Sequence, residues 1–332
     1  MRMRRIPFGF LIFASLALAA PGETIELQPG VQIELADVEM GAKLLGNEDA
    51  YLRRLSAFER AAKMRVAAPP SLEEFARNAA ASVRGFSDGD RERIGAALAE
   101  LRPLIEPLRL AFPGRITLVK TTGRDDINEA YCRGPVIVLP RKYFAPADSN
   151  LAAVVLHELF HVFSSHHPEL RERLYALLDF HRCAELTLPE REDRRRFTNP
   201  DAMNFDYYTV LRHDGREIAV MPVLLGKRER FDPAVNGSVL GQIDLALVEI
   251  EVRDGRAIPV LDGEGRAVVR LAEEVPAYMQ RMARNTGYIL HPEEVLAENF
   301  MHVLRKPAGL AAPELPAQLL EIMQSAPGRS VR

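Results

Sequence analysis

Apolar residues recur at helical spacing in two early stretches, AYLRRLSAFERAAKM (residues 50–64) and DRERIGAALAELRPLIEPLRLAF (residues 90–112). They predict two or three helices between residues 47 and 112, broken at Pro69-Pro70 and at Gly85 to Gly89. The pattern then turns to β-branched runs, RITLVKTT and PVIVLP, which read as a strand pair. NLAAVVLHELFHVFSS returns to helical period, with Asp148 or Ser149 as its cap and Pro168 as its end. Between residues 203 and 272 apolar and polar positions alternate around Asp-Gly pairs, a hairpin signal because both residues tolerate positive φ. Two more helices follow, EEVPAYMQRMARN closed by Gly287, and PEEVLAENFMHVLRK opened by Pro292. No repeat of 20 to 50 residues is visible. The expected class is α+β, with a helical region over 20–112 and a second region over 113–332 that carries an antiparallel β-hairpin insertion at about 203–272.

The first residues modify this picture. Three arginines within Met1 to Arg5, a short apolar run from Ile6 to Leu18, and Ala17-Leu18-Ala19 predict a cleaved signal peptide over 1–19. That apolar run falls short of the roughly 20 residues of a membrane helix, and no later stretch reaches that length. A periplasmic or secreted protein with no membrane span after cleavage is expected. Net charge is only −3, and the one basic run, REDRRRF (191–197), reads as a solvated loop and not a nucleic-acid contact. Cys132 and Cys183 are the two cysteines; an exported chain allows either one disulfide or two buried thiols.

The chemistry concentrates in LHELFHVFSSHH, residues 156 to 167. On a helix His157 and His161 share a face, so both imidazoles can meet one metal ion, which zinc accepts in tetrahedral geometry. Glu158 lies on the neighbouring flank, where it can act as a general base on a water without ligating the metal. Three residues compete for the third ligand position. His167 would complete HExxHxxSxxH, but Ser164 stands where a sharp turn needs glycine; Met203 and Met221 lie downstream as methionine-turn candidates. Otherwise His166 and His167 are polar residues at a helix end. Glu185 lies in the extended stretch RCAELTLP, and Glu294 opens the helix PEEVLAENF with Glu298 one turn on.

Residues 110 to 305 resemble exported bacterial gluzincin-type zinc metallopeptidases. The resemblance rests on HELFH, on HPEEVLAENF with its ExxA[D/E] pattern, and on INEAYCRGPVIVLP before the first helix. It implies a zincin-like core and one zinc per chain, held by His157, His161 and Glu294. Glu298 would orient a ligating histidine from behind, although many relatives carry Asp there. It also implies an edge strand around Ala130 to Val138 that binds extended peptide through its main chain. Tyr288 and His291 are the oxyanion-stabilising candidates nearest in sequence to a ligand, with Tyr131 and Arg133 on the strand side, whereas Tyr207 and Tyr208 read as sheet packing. The expected activity is peptide-bond hydrolysis on a peptide or protein substrate, with Glu158 as base. A non-catalytic exported zinc-binding protein and an amidase acting on cell-wall peptides remain the alternatives.

Overall fold

The computed structural model describes residues 23–145, 150–235 and 237–327; the expected signal peptide, Asp148 and Ser149 lie outside them. The fold is mixed α+β, built on two sheets. In the first sheet Val31–Leu35, Arg115–Thr121 and Val136–Pro140 run parallel. Thr24–Gln28 closes one edge antiparallel and Tyr131–Arg133 closes the other, with Val83–Arg84 paired to Arg115–Thr121. RITLVKTT and PVIVLP are therefore neighbours, as expected, but parallel ones. The chain reaches the second of them through Tyr131–Arg133 and a turn at Gly134, whose φ of +59° suits glycine.

Three strands of this sheet, Thr24–Gln28, Val31–Leu35 and Val83–Arg84, come from the front of the chain, so the sheet crosses the boundary drawn at residue 112. Short strands with polar alternation, TIELQ and VQIEL, were hidden there beside the helices. The helical stretch itself divides into five pieces: Val38–Gly46, Ala50–Arg54, Ala57–Met64, Leu72–Ser82 and Asp88–Ile105. Asp37, Asp49, Ser56, Ser71 and Ser87 cap them in turn, each side chain accepting a backbone N–H at the first turn. Lys63 is buried between Glu59 (3.0 Å) and Asp126 (2.7 Å), which ties these helices to the loop preceding Tyr131–Arg133.

The second sheet is antiparallel and contains the expected hairpins. Tyr207–His213 and Arg216–Gly226 turn at Asp214-Gly215, and Ile243–Arg253 and Arg256–Pro259 turn at Asp254-Gly255. All four turn residues have positive φ, between +49° and +77°. This sheet also recruits Phe180–Arg182 and Arg196–Phe197 from ahead of residue 203.

Helix Leu151–His166 is capped by Asn150, whose Oδ1 accepts the Ala153 N–H at 3.1 Å. Leu156, Leu159, Phe160, Val162 and Phe163 are buried in the main core, each worth about 1.5–3 kcal/mol of apolar burial. Pro168 ends this helix and supplies the first residue of the next, Pro168–Ala176. Helix Pro292–Arg305 packs against Leu151–His166, with Phe160 and Phe300 6.1 Å apart. Pro276–Met282 is the helix expected ahead of Gly287, ending three residues sooner than the sequence pattern. Cys132 and Cys183 are both free thiols, buried in separate apolar clusters, so the disulfide alternative is not realised.

Candidate metal centre

Two packed helices bring together residues far apart in sequence. His157 and His161 project from one turn-pair of Leu151–His166, and Glu294 meets them from the first turn of Pro292–Arg305. His157 Nε2 lies 3.2 Å and His161 Nε2 3.5 Å from the same Glu294 oxygen, Oε2. One nitrogen or oxygen from each of the three residues falls within 4.8 Å of the others, a spacing that could hold a metal ion.

The back of each imidazole is also held. His157 Nδ1 faces Glu298 Oε1 at 3.1 Å. His161 Nδ1 faces Glu293 Oε1 at 3.2 Å. Glu293 is fully buried, and its other oxygen accepts the hydroxyls of Tyr175 (2.5 Å) and Ser164 (3.0 Å). Such outer carboxylates fix the ring orientation and leave Nε2 to meet the metal. Ser164, read from sequence as a missing glycine, thus buttresses the carboxylate behind His161.

A buried polar atom that makes no hydrogen bond tests whether these residues suit a cation. His161 is 1% exposed, and its Nε2 makes no hydrogen bond among the described residues. A buried donor or acceptor left unpaired costs about 1–3 kcal/mol, which a bound metal ion would remove. Two imidazole nitrogens and one carboxylate are a donor set that fits a divalent ion with an open position.

The charges agree with this. Burial opposes ionisation of Glu294, but His161 and His157 beside it hold its carboxyl well below the usual range. Burial likewise opposes a charge on His157, yet Glu294 and Glu298 raise it to about 9. Glu158 is buried next to His157 and His161, and that burial raises its pKa against the pull of His161 and His157. The Cys132 thiol lies 3.1 Å from Glu158 Oε2 and donates to it.

The other expected residues divide. Tyr288 stands at the site, its ring 6.0 Å from that of His157. Glu294, then burial, raises its phenol above the ordinary range, so it remains a hydrogen-bond donor. His291 caps the helix Pro292–Arg305, its Nδ1 accepting the Glu293 N–H at 3.2 Å, with its ring against Tyr175. Burial lowers its pKa to about 4, leaving it neutral. His167 is engaged elsewhere, Nε2 with the Ala111 carbonyl at 2.6 Å and Nδ1 with Glu169 at 3.0 Å. Glu185 pairs with Arg54, Tyr131 donates to Asp125, and Arg133 donates to Asp49. Tyr207 packs on Tyr175, ring centroids 4.5 Å apart, and Tyr208 on His181.

Sequence reasoning missed three residues. Besides Glu293, Asn199 donates from Nδ2 to Glu294 Oε1 at 2.7 Å, and Asp201 Oδ1 accepts the Cys132 N–H at 2.7 Å. Asp201, Glu158 and Cys132 form a second group whose potential ligand atoms lie within 4.8 Å of one another. Glu293 lies outside the four-residue spacing that links Glu294 to Glu298, and nothing local in TNPDA marks Asn199 or Asp201. Comparison of the chain with protein-family models, curated proteins and solved structures finds no match.

Proposed function

We propose that this chain is a zinc-dependent hydrolase, most specifically a gluzincin-type metallopeptidase. The observation that carries the reading is the convergence of His157 Nε2 and His161 Nε2 on Glu294 Oε2, each imidazole backed at Nδ1 by its own glutamate. A zincin-like core is supported by the outer strand Tyr131–Arg133, which runs antiparallel to its neighbour, and by the close approach of its Cys132 to Glu158 on the HExxH helix.

Zinc, one per chain, would supply Lewis acidity and a water of lowered pKa. Glu158 is placed to take a proton from the attacking water and deliver it to the leaving amine. Its raised pKa suits both halves of that exchange. Tyr288 can donate its phenol to the developing oxyanion. Glu293, Glu298 and Asn199 would position the ligands from behind. Retention of a buried base beside the ligands favours an enzyme over a non-catalytic zinc protein, because a structural site needs none. Export to the periplasm or beyond belongs to the same proposal and rests on the basic and apolar N-terminal sequence.

The test is metal analysis of the purified mature protein. One zinc per chain is expected, and His157→Ala should abolish it. Protein that stays zinc-free after refolding with excess metal would overturn the reading.

A further inference from the structure

The cleft beside the metal ligands ends at a fixed wall. Tyr131–Arg133 is the outer strand of its sheet, and Cys132 directs its N–H outward to Asp201. The segment carrying Asp201 is anchored on both sides. Arg196–Phe197 pairs with Arg216–Gly226, Ser56 Oγ donates to the Arg196 carbonyl (2.6 Å), and Arg54 Nε donates to the Met203 carbonyl (2.9 Å). A peptide adding to the outer strand therefore cannot run on past Cys132.

Two cavities flank this point. The larger, about 310 Å³, is lined by His157, Glu158, Val154 and Met301. The smaller, about 70 Å³, is lined by Tyr131, Asn199 and Asp201. Glu129, Ala130, Leu240 and Tyr288 border both, so the two are adjoining parts of one groove. Within the small part Asp201 accepts the Cys132 N–H, and no lysine or arginine among the described residues pairs with it; burial holds its carboxyl above the usual range against the pull of His161, so an incoming cation would favour its ionised form.

Direction and charge then agree. A peptide added antiparallel to Tyr131–Arg133 has its amino terminus at the Cys132 end and its body running past Ala130 into the larger cavity. Parallel addition would bring a terminal carboxylate into the acidic group of Asp201, Glu158 and the ionised Glu294, which like charge disfavours. We propose that Asp201 receives the free α-ammonium group of a peptide, and that the site removes residues from amino termini. The proposal rests on the metallopeptidase reading. In the reaction water adds across the first peptide bond: its oxygen bonds to the carbonyl carbon, the C–N bond breaks, and Glu158 passes one water proton to the departing amine. The products are a free amino acid and a peptide shortened by one residue.

Binding is read separately from turnover. Zinc-loaded Glu158→Gln protein is titrated, by fluorescence anisotropy, with a labelled apolar hexapeptide whose amino terminus is free or acetylated. Acetylation should weaken binding at least tenfold, as expected when a buried carboxylate loses its ionic partner. Asp201→Asn in the same background retains an acceptor for the Cys132 N–H and should erase the difference while keeping its zinc. Equal binding of the two peptides, no binding of either, or loss of zinc on Asp201→Asn would overturn the proposal. With the wild-type chain, mass spectrometry should show stepwise loss of amino-terminal residues. Internal cleavage of acetylated peptides at an undiminished rate would overturn it and leave the metallopeptidase reading standing, whereas a chain that takes up no zinc fails at the earlier step.

Discussion

Glu293 holds His161 by Nδ1 at 3.2 Å, while the next residue along the same helix reaches the opposite nitrogen of that ring. Successive helical residues diverge by about 100°, so two adjacent glutamates can embrace one imidazole only when the ring stands against the helix end. Arg171 at 3.8 Å and the Tyr175 and Ser164 hydroxyls stabilise the Glu293 charge at the back. Despite burial, Arg171 and His161 hold its pKa below the ordinary value.

Glu293→Gln should therefore retain the fold but lose zinc affinity by about 10–100-fold, the usual effect of removing an orienting carboxylate. Competition with a chromophoric chelator measures it. An unchanged affinity would reduce Glu293 to a packing residue.

The third ligand separates by mutation. Glu294→Ala should lose zinc or bind it severely more weakly, while His167→Ala, which loses contacts to Ala111 and Glu169 remote from the ligands, should keep a full equivalent. The reverse pattern would move the third ligand to His167.

Glu158→Gln should keep zinc and thermal stability and reduce peptide turnover by about 10²–10⁴-fold, the span general-base catalysis supplies. The loss should fall on kcat more than on KM, since the proton moves on the way to the transition state. Equal and substantial cleavage by mutant and wild type would assign the activity elsewhere.

The histidines also set a pH dependence. In the metal-free chain His157 titrates at about 9, and zinc must displace that proton. Despite its burial, His161 is held protonated likewise by Asp201, Glu294 and Glu293, so apparent zinc affinity should rise by at least about tenfold per pH unit between pH 7 and 9. Stability of the metal-free chain runs the other way. A pKa raised above the unfolded value of about 6.5 contributes fully below that pH and is lost as pH rises through about 9. The melting temperature, measured against His157→Gln, should thus decline across that window, and a flat difference would contradict the assigned ion pairs.

What could be read from the linear chain is what local periodicity encodes. His157, Glu158 and His161 are fixed by one helix, and Glu294 with Glu298 by another, because positions four apart share a face. The Asp-Gly hairpins were legible because turn chemistry is local. Asn199 and Asp201 were not, since their function comes from a segment laid across the outer strand by anchors at Arg54, Ser56 and the second sheet. The strands Thr24–Gln28 and Val31–Leu35 escaped notice for a related reason: five-residue strands beside long helices carry little pattern of their own, and their partner is Arg115–Thr121, some distance along the chain.

The separation between His157 and Glu294, 137 residues, has a consequence for biogenesis. Contacts so distant in sequence form late, after the intervening chain has been closed into a loop. The first helix can emerge and fold with both histidines in place, yet it presents only two of the three donors until Pro292–Arg305 arrives and docks. On the zinc reading proposed above, metal capture would be tied to completion of the polypeptide, and a nascent or prematurely terminated product would lack the third donor.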